Sequence, residues 1–169
     1  LPNDTTGLTS NLSSDRSVEY ATASFGQGIA FTPFTTVKAL SALGNGGLVV
    51  TPHIMKEIDY TFGFEQTYRS PEPQRVLSEQ TSDEITRMLV EVVDTALRGG
   101  TVKMDNYSIA AKTGTAQMAN PEGGYYEDKF LHTFFGYYPA YDPQFLVFLY
   151  AEDPKEVRYA SETLTAPFM

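Results

Sequence analysis

The stretch Ser108-Ile109-Ala110-Ala111-Lys112-Thr113-Gly114-Thr115-Ala116-Gln117-Met118 restricts the fold more than any other part of the chain. Ile109 to Ala111 carry no charge and suit a strand buried on both faces. Lys112 then sets an ammonium at mid-strand, where an unpaired charge inside a core would be costly. The strand must therefore leave the core with Lys112 facing a cleft or water. Gly114 weakens a strand interior, and its usual justification is a bulge or the close approach of another backbone. Thr113 and Thr115 alternate with it and place two hydroxyls on one face. One ammonium, two hydroxyls and an open edge make a reader of anions and amides, along which a peptide can lie as an added strand. The same residues also suit a solvated edge strand that carries a lysine, and a motif this short leaves both readings open.

The remaining 158 residues of the 169-residue chain supply enough apolar matter for one domain with a sizeable core. With 21 acidic and 12 basic residues the net charge is −9, which argues against nucleic acid or an anionic membrane surface as partner. The absence of cysteine removes disulfides, thiolate catalysis and cysteine-ligated zinc together. Only His53 and His132 are present, too few for a histidine-rich metal site, so neither metal nor cofactor is expected. The apolar runs fall well short of a membrane span, and no signal-peptide pattern is present. A start at Leu1-Pro2 and a stop at Met169 both read as cuts.

Leu1 to Val18 is rich in Ser, Thr, Asn and Asp without a period, and reads as loop or extended connection. Phe25-Gly26-Gln27-Gly28 reads as a packed turn; it lacks the third glycine and preceding strand of a dinucleotide site. Thr32 and Pro33 suit the cap and first position of a helix carrying Phe34, Val37 and Leu40 at helical spacing, ended by Gly44-Asn45-Gly46-Gly47. Thr35-x-x-Lys38 on this helix looks like a nucleophile and lysine pair, but threonine rarely serves so except at a chain terminus, and Lys38 reads as solvated. Leu48 to Thr51 and Ile54 to Tyr60 suit a peripheral strand pair interrupted by Pro52, with His53 at the corner, and Phe62 to Pro73 reads as turn.

Ser78 caps a second helix, in which Ile85, Met88, Leu89, Val92, Val93, Ala96 and Leu97 form an apolar stripe, ended by Arg98-Gly99-Gly100. After Met118, residues 120–129 read as a long flexible connection, a lip over the site. Phe130 to Tyr138 and Gln144 to Ala151 read as strands joined by a hairpin-type turn, apolar enough for a sheet covered on both faces. His132 borders the cleft if its strand lies beside Lys112, although a structural role suits a sheet histidine better. Ser161 to Met169 reads as the start of a helix.

Three segments together resemble one family. Ala23-Ser24-Phe25-Gly26-Gln27-Gly28, then Thr32-Pro33 with residues 39–47, then Ala111-Lys112-Thr113-Gly114-Thr115-Ala116-Gln117 resemble, in order and spacing, the transpeptidase domain of class B penicillin-binding proteins. Phe134-Phe135-Gly136-Tyr137-Tyr138-Pro139-Ala140 and the closing Tyr159-Ala160 with Ala166-Pro167 extend the likeness over essentially the whole chain, nearer the division or sporulation branch than the elongation branch. The resemblance implies an α/β sandwich (α+β) with a central antiparallel sheet between helices, incomplete here, residues 1–169 being the C-terminal portion of a single domain truncated at both ends.

That family carries Ser-x-x-Lys, Ser-x-Asn and Lys-Thr-Gly. Only the third is found in this sequence, and Thr9-Ser10-Asn11 is no substitute for the second. The family order puts both missing motifs upstream of Leu1, so the resemblance implies one wall of a site whose nucleophile lies elsewhere. Lys112 would supply positive charge near the nucleophile and the substrate carboxylate. Thr113 and Thr115 would offer hydroxyls to that carboxylate, the Thr115 backbone N–H would form half of the oxyanion hole, Gly114 would admit the substrate backbone, and Gln117 would join in substrate binding. The implied partners are a peptidoglycan stem peptide ending in D-Ala-D-Ala, β-lactams, the N-terminal part of the same domain and cell-division proteins. The implied location is the extracytoplasmic face of a bacterial membrane, through an anchor outside this chain. A penicillin-recognising sensor or a catalytically dead division scaffold would keep the same strand, and the upstream residues would decide between them.

Overall fold

The structure is a computed structural model that describes residues 7–155 and 157–165. The polar N-terminal stretch, read as loop, holds a 3-10 turn at Ser10–Ser13 and a short helix, α1 (Ser17–Ala23). Tyr20 ties the two together by donating its hydroxyl to the Leu12 carbonyl at 3.0 Å. Residues 1–6 of that stretch lie outside the described residues.

Helix α2 (Pro33–Gly44) begins where the sequence puts it: the Thr32 hydroxyl accepts the Thr35 N–H at 3.2 Å, and proline stands at the first position. The two short strands expected to pair with one another do not. β1 (Leu48–Val49) pairs with β4 (Gln74–Arg75), while β2 (Glu57–Asp59) pairs with β3 (Glu65–Thr67), a strand inside the stretch read as turn. Pro52 explains the separation, because it lacks the N–H that would have continued β1 into a longer ladder. Gly47 sets the direction of β1. It adopts φ +83, and a Cβ there would collide with the Leu77 carbonyl.

Helix α3 (Glu79–Glu91) is capped by the Ser78 hydroxyl, which accepts the Thr81 N–H at 3.0 Å. The expected stripe is modified in one respect. From Val92 to Ala96 the coil widens to a π-turn, followed by a 3-10 turn in which Arg98 and Gly99 adopt left-handed conformations. Met88 is 58% exposed, while Leu89, Val93 and Leu97 are buried.

Three antiparallel strands follow in the order β5 (Ala110–Ala119), β6 (Tyr125–Tyr138) and β7 (Phe145–Glu152). The connection read as long and flexible is a tight turn, closed by Asn120 N–H to the Gly124 carbonyl at 3.0 Å, and β6 starts at Tyr125. One sheet face carries Ala110, Phe135 and Tyr137, packed with Leu40 and Leu43 of α2 and with Ile85 and Leu89 of α3. The other carries Ala111 and Phe134, packed with Val93 and Leu97 beyond α3 and with Leu164. Helix α3 and its π-turn thus pass along the β5 side of the sheet, adding to the core on both faces.

A short α4 (Ala160–Thr163) closes the second face; of the helix expected over 161–169 only this turn is seen, ending at Thr163, and residues 166–169 lie outside the described residues. The fold is α+β, a sheet between helical layers. Its cover is incomplete along β7, where Phe145 and Tyr150 are 67% and 50% exposed. In the first core Tyr137 is buried with its hydroxyl 2.7 Å from that of Thr86, and burial pushes its phenol above the usual tyrosine range.

Candidate active site

Among the described residues β5 pairs only with β6, so its outer edge is free. Lys112, Gly114 and Ala116 share one face with Phe135, Thr133 and Leu131 of β6. They border a cleft of about 620 Å³ whose opposite wall comes from Phe25, Ile29, Phe31 and the start of α2. Phe148 and Tyr150 of β7 continue its floor.

Lys112 is exposed, as an uncompensated charge requires, and its Nζ donates to the Thr113 carbonyl at 2.6 Å. Among the described residues no carboxylate pairs with it. The ammonium is therefore held against the strand while its charge stays unneutralised, an arrangement suited to an anionic ligand.

Gly114 marks no bulge. The β5–β6 register runs unbroken from Ala110 opposite Tyr137 to Gln117 opposite Phe130, and shifts only between Gln117 and Ala119. The glycine answers a close approach instead: a Cβ at 114 would stand 2.5 Å from Thr133 Oγ1. The absence of that Cβ also leaves the cleft floor open beside Lys112.

Thr113, Thr115 and Gln117 alternate onto the other face. The Thr115 hydroxyl accepts the Ala160 backbone N–H at 3.0 Å, and the residue remains exposed at the strand edge. Gln117 donates its side-chain amide to the Tyr126 carbonyl at 3.1 Å, which leaves its Oε1 as the outward acceptor. All five residues singled out in the sequence thus lie on one strand, and four of them, Lys112, Thr113, Gly114 and Thr115, line the cleft, which Gln117 does not.

His132 stands opposite Thr115 across β5 and β6, but it is wholly buried and faces Thr163 and Arg158. It does not line the cleft. The Thr35 hydroxyl is engaged by Thr32 at 3.1 Å, and His53 lies on the surface against Tyr68, so neither joins the cleft. Lys38 is half-buried rather than fully solvated.

Two contributors escape a reading of the sequence. Ala160 acts through its backbone, which no side chain advertises. Tyr125 reaches across from β6 to accept the Gly28 N–H at 3.1 Å, clasping the turn after α1. The aromatic floor was more accessible, since the period-two alternation of β6 and β7 assigns Phe135, Phe148 and Tyr150 to one face.

An α+β fold whose free edge strand presents Lys-Thr-Gly-Thr to an apolar cleft is the arrangement that the resemblance to penicillin-binding transpeptidase domains implies. The model of the penicillin-binding protein transpeptidase domain matches residues 1–169, and the chain belongs to that family, in its class B branch. It is 36% identical over 173 residues to the stage V sporulation protein D of Bacillus subtilis, a match covering 100% of this chain and 26% of that protein. The probable peptidoglycan D,D-transpeptidase PenA of Neisseria gonorrhoeae is 28% identical over 167 residues, covering 99% of this chain and 27% of its own. The chain thus spans about a quarter of the length of these curated relatives. Among solved structures, penicillin-binding protein 3 of Mycobacterium tuberculosis in its apo form superimposes with a TM-score of 0.85 at 28% identity, covering 95% of this chain and 39% of that one. Its complex with ampicillin gives 0.82 at 29% identity, covering 90% and 35%.

Proposed function

We propose that this chain forms the carboxylate-binding and carbonyl-polarising wall of a serine D,D-transpeptidase, the C-terminal portion of one catalytic domain whose nucleophilic serine lies in a part of the protein outside residues 1–169. The observation that carries the reading is the free edge of β5, which sets the unneutralised Lys112 and the anchored Thr115 hydroxyl beside one cleft. The names of the relatives support the chemistry, and the lack of any Ser-x-x-Lys in the sequence supports the division of labour.

In this reading the substrate is a peptidoglycan stem peptide ending in D-Ala-D-Ala, laid along β5 as an added strand. Lys112 attracts the terminal carboxylate and favours the serine alkoxide. Thr113 and Thr115 donate hydroxyl protons to the carboxylate, and the Gln117 Oε1 accepts a substrate N–H. As serine adds to the penultimate carbonyl, negative charge grows on its oxygen, where the fixed Thr115 N–H stabilises it; losing one such donor in related chemistry costs about 3 kcal/mol. D-Alanine leaves, and the acyl group passes to the amine of a neighbouring stem. β-Lactams acylate the same serine. The protein works on the outer face of the cell membrane, beside division or sporulation partners.

The test is covalent labelling by a fluorescent penicillin. The full-length protein is expected to label, Lys112→Ala to reduce its acylation rate more than about 100-fold, and residues 1–169 alone to take up none. Labelling of the isolated chain, or unimpaired labelling of the Lys112 variant, would overturn the assignment.

A further inference from the structure

The histidine that the site leaves unused makes one arrangement with the residue across from it. His132 is fully buried, and each ring nitrogen has one partner: Nε2 lies 2.9 Å from the Arg158 carbonyl, and Nδ1 2.9 Å from Thr163 Oγ1. A carbonyl only accepts, so Nε2 carries a proton. In the neutral ring, Nδ1 then takes the proton of the Thr163 hydroxyl, whose alternative acceptor, the Ala160 carbonyl, is a longer 3.4 Å away.

The imidazole thereby pins residues 158–163 at two points. Between those points lies Ala160, itself wholly buried, and its N–H is the one that donates to Thr115 Oγ1 at 3.0 Å. His132 and Thr115 are register partners on the same face of adjacent strands. The result is a closed bracket from Thr115 to its cross-strand neighbour, through α4 and back.

We infer that His132 is a positioning residue for the Thr115 hydroxyl, acting through the Ala160 N–H. A hydroxyl has one proton to donate and two lone pairs. With a lone pair of Thr115 Oγ1 held by Ala160 on the core side, its proton is turned away, toward the exposed edge of β5. The hydroxyl is thus preset as a donor to an anion instead of rotating freely or folding back onto its own strand. The precision of that setting is the precision with which residues 158–163 are held, and His132 supplies a side-chain anchor on either side of Ala160. The step deepens the transpeptidase reading, on which it rests for its substrate carboxylate.

The test compares the full-length protein with His132→Leu, His132→Gln and Thr163→Val by two readouts, amide hydrogen exchange and the second-order rate of acylation by a fluorescent penicillin. His132→Leu removes both anchors and Thr163→Val only the one at Nδ1; His132→Gln keeps an N–H for the Arg158 carbonyl. In the first two, exchange at the Ala160 amide is expected to rise, and acylation to fall, each about tenfold for Thr163→Val, the scale of one hydrogen bond, and by at least as much for His132→Leu. Exchange in α3 should stay unchanged, and His132→Gln should recover most of both losses. Thr163→Val keeps the test open should His132→Leu fail to fold. Unchanged Ala160 exchange, exchange rising equally through α3, or a glutamine as damaging as leucine would overturn the inference. A wild-type protein that takes up no penicillin would defeat the transpeptidase reading alone, since Ala160 exchange still decides whether His132 positions Thr115.

Discussion

Thr133 Oγ1 fills the space that a side chain at Gly114 would need, from the neighbouring strand and on the cleft face of the sheet. The glycine of Lys-Thr-Gly is therefore fixed by packing within this chain as well as by access to the cleft. Gly114→Ala is expected to push β5 away from β6 and cost about 1–3 kcal/mol as overpacking. A shift of the strand by a fraction of an ångström misplaces Lys112 and Thr115 together, and acylation of the full-length protein should fall about 100-fold. Adding Thr133→Ala removes the obstructing hydroxyl and should restore much of the stability. A double variant as unstable as the single one would show that the collision is not the cause, by urea unfolding of both.

The Thr86 and Tyr137 hydroxyls, 2.7 Å apart in the core between α2, α3 and the sheet, carry a second expectation. Burial raises the Tyr137 phenol above its usual range; the Thr86 hydrogen bond opposes that and Tyr141 adds to it. The unfolded chain loses the phenol proton near pH 10, whereas the folded chain holds it to higher pH. The unfolded state then binds fewer protons, so the stability from this group is complete below about pH 10 and drains away as pH rises through the folded value. Tyr137→Phe should lower stability at neutral pH by about 1 kcal/mol and flatten the alkaline fall. Denaturation midpoints measured from pH 8 upward check both effects.

Ser78→Ala tests the start of α3 without touching the cleft. The substitution deprives the Thr81 N–H of its 3.0 Å acceptor. The expected loss is about 1 kcal/mol, visible in the thermal midpoint, with the penicillin acylation rate of the folded protein unchanged.

What the sequence disclosed and what it withheld divide along a physical line. The caps at Thr32 and Ser78, the stripe of α3 and the β5 site strand are local, set by hydrogen bonds and side-chain periods within a few residues, and were legible. The pairing of Leu48 with Arg75 and of Glu57 with Thr67 was not, because these strands are two or three residues long and their partners are chosen by turns and by the contact between Gly47 and Leu77. The π-turn at Val92–Ala96 was equally hidden, since it shifts the stripe by a single residue. The five candidate residues fall within one motif, which is why they lie together on β5. The Ala160 N–H that holds Thr115 comes from 45 residues away through the backbone, where sequence carries no mark of it.

Tyr125 and Gly28 give the last expectation, because they join β6 to a turn that lines the cleft. The phenol oxygen accepts the Gly28 N–H at 3.1 Å, linking the start of β6 to the turn that carries Phe25 and Gly26 on the opposite wall. Tyr125 is 43% exposed, so water competes for the bond and its contribution to global stability is small. Its effect is local: it adds to the restraints on a turn containing two positive-φ glycines, Gly26 and Gly28, where the Gly26 N–H already donates to the Ala23 carbonyl and the Asn11 side-chain amide to the Gly28 carbonyl. Tyr125→Phe keeps the ring and deletes only the acceptor. Exchange at the Gly28 amide should rise about tenfold, while the thermal midpoint moves by less than about 1 °C, since a loss of a few tenths of a kcal/mol shifts a domain of this size by little more. If the clasp limits entry to the cleft, acylation by a bulky penicillin should quicken relative to a small one in the variant. Equal rates for both would place the clasp outside the path of entry and leave it as an anchor of the turn.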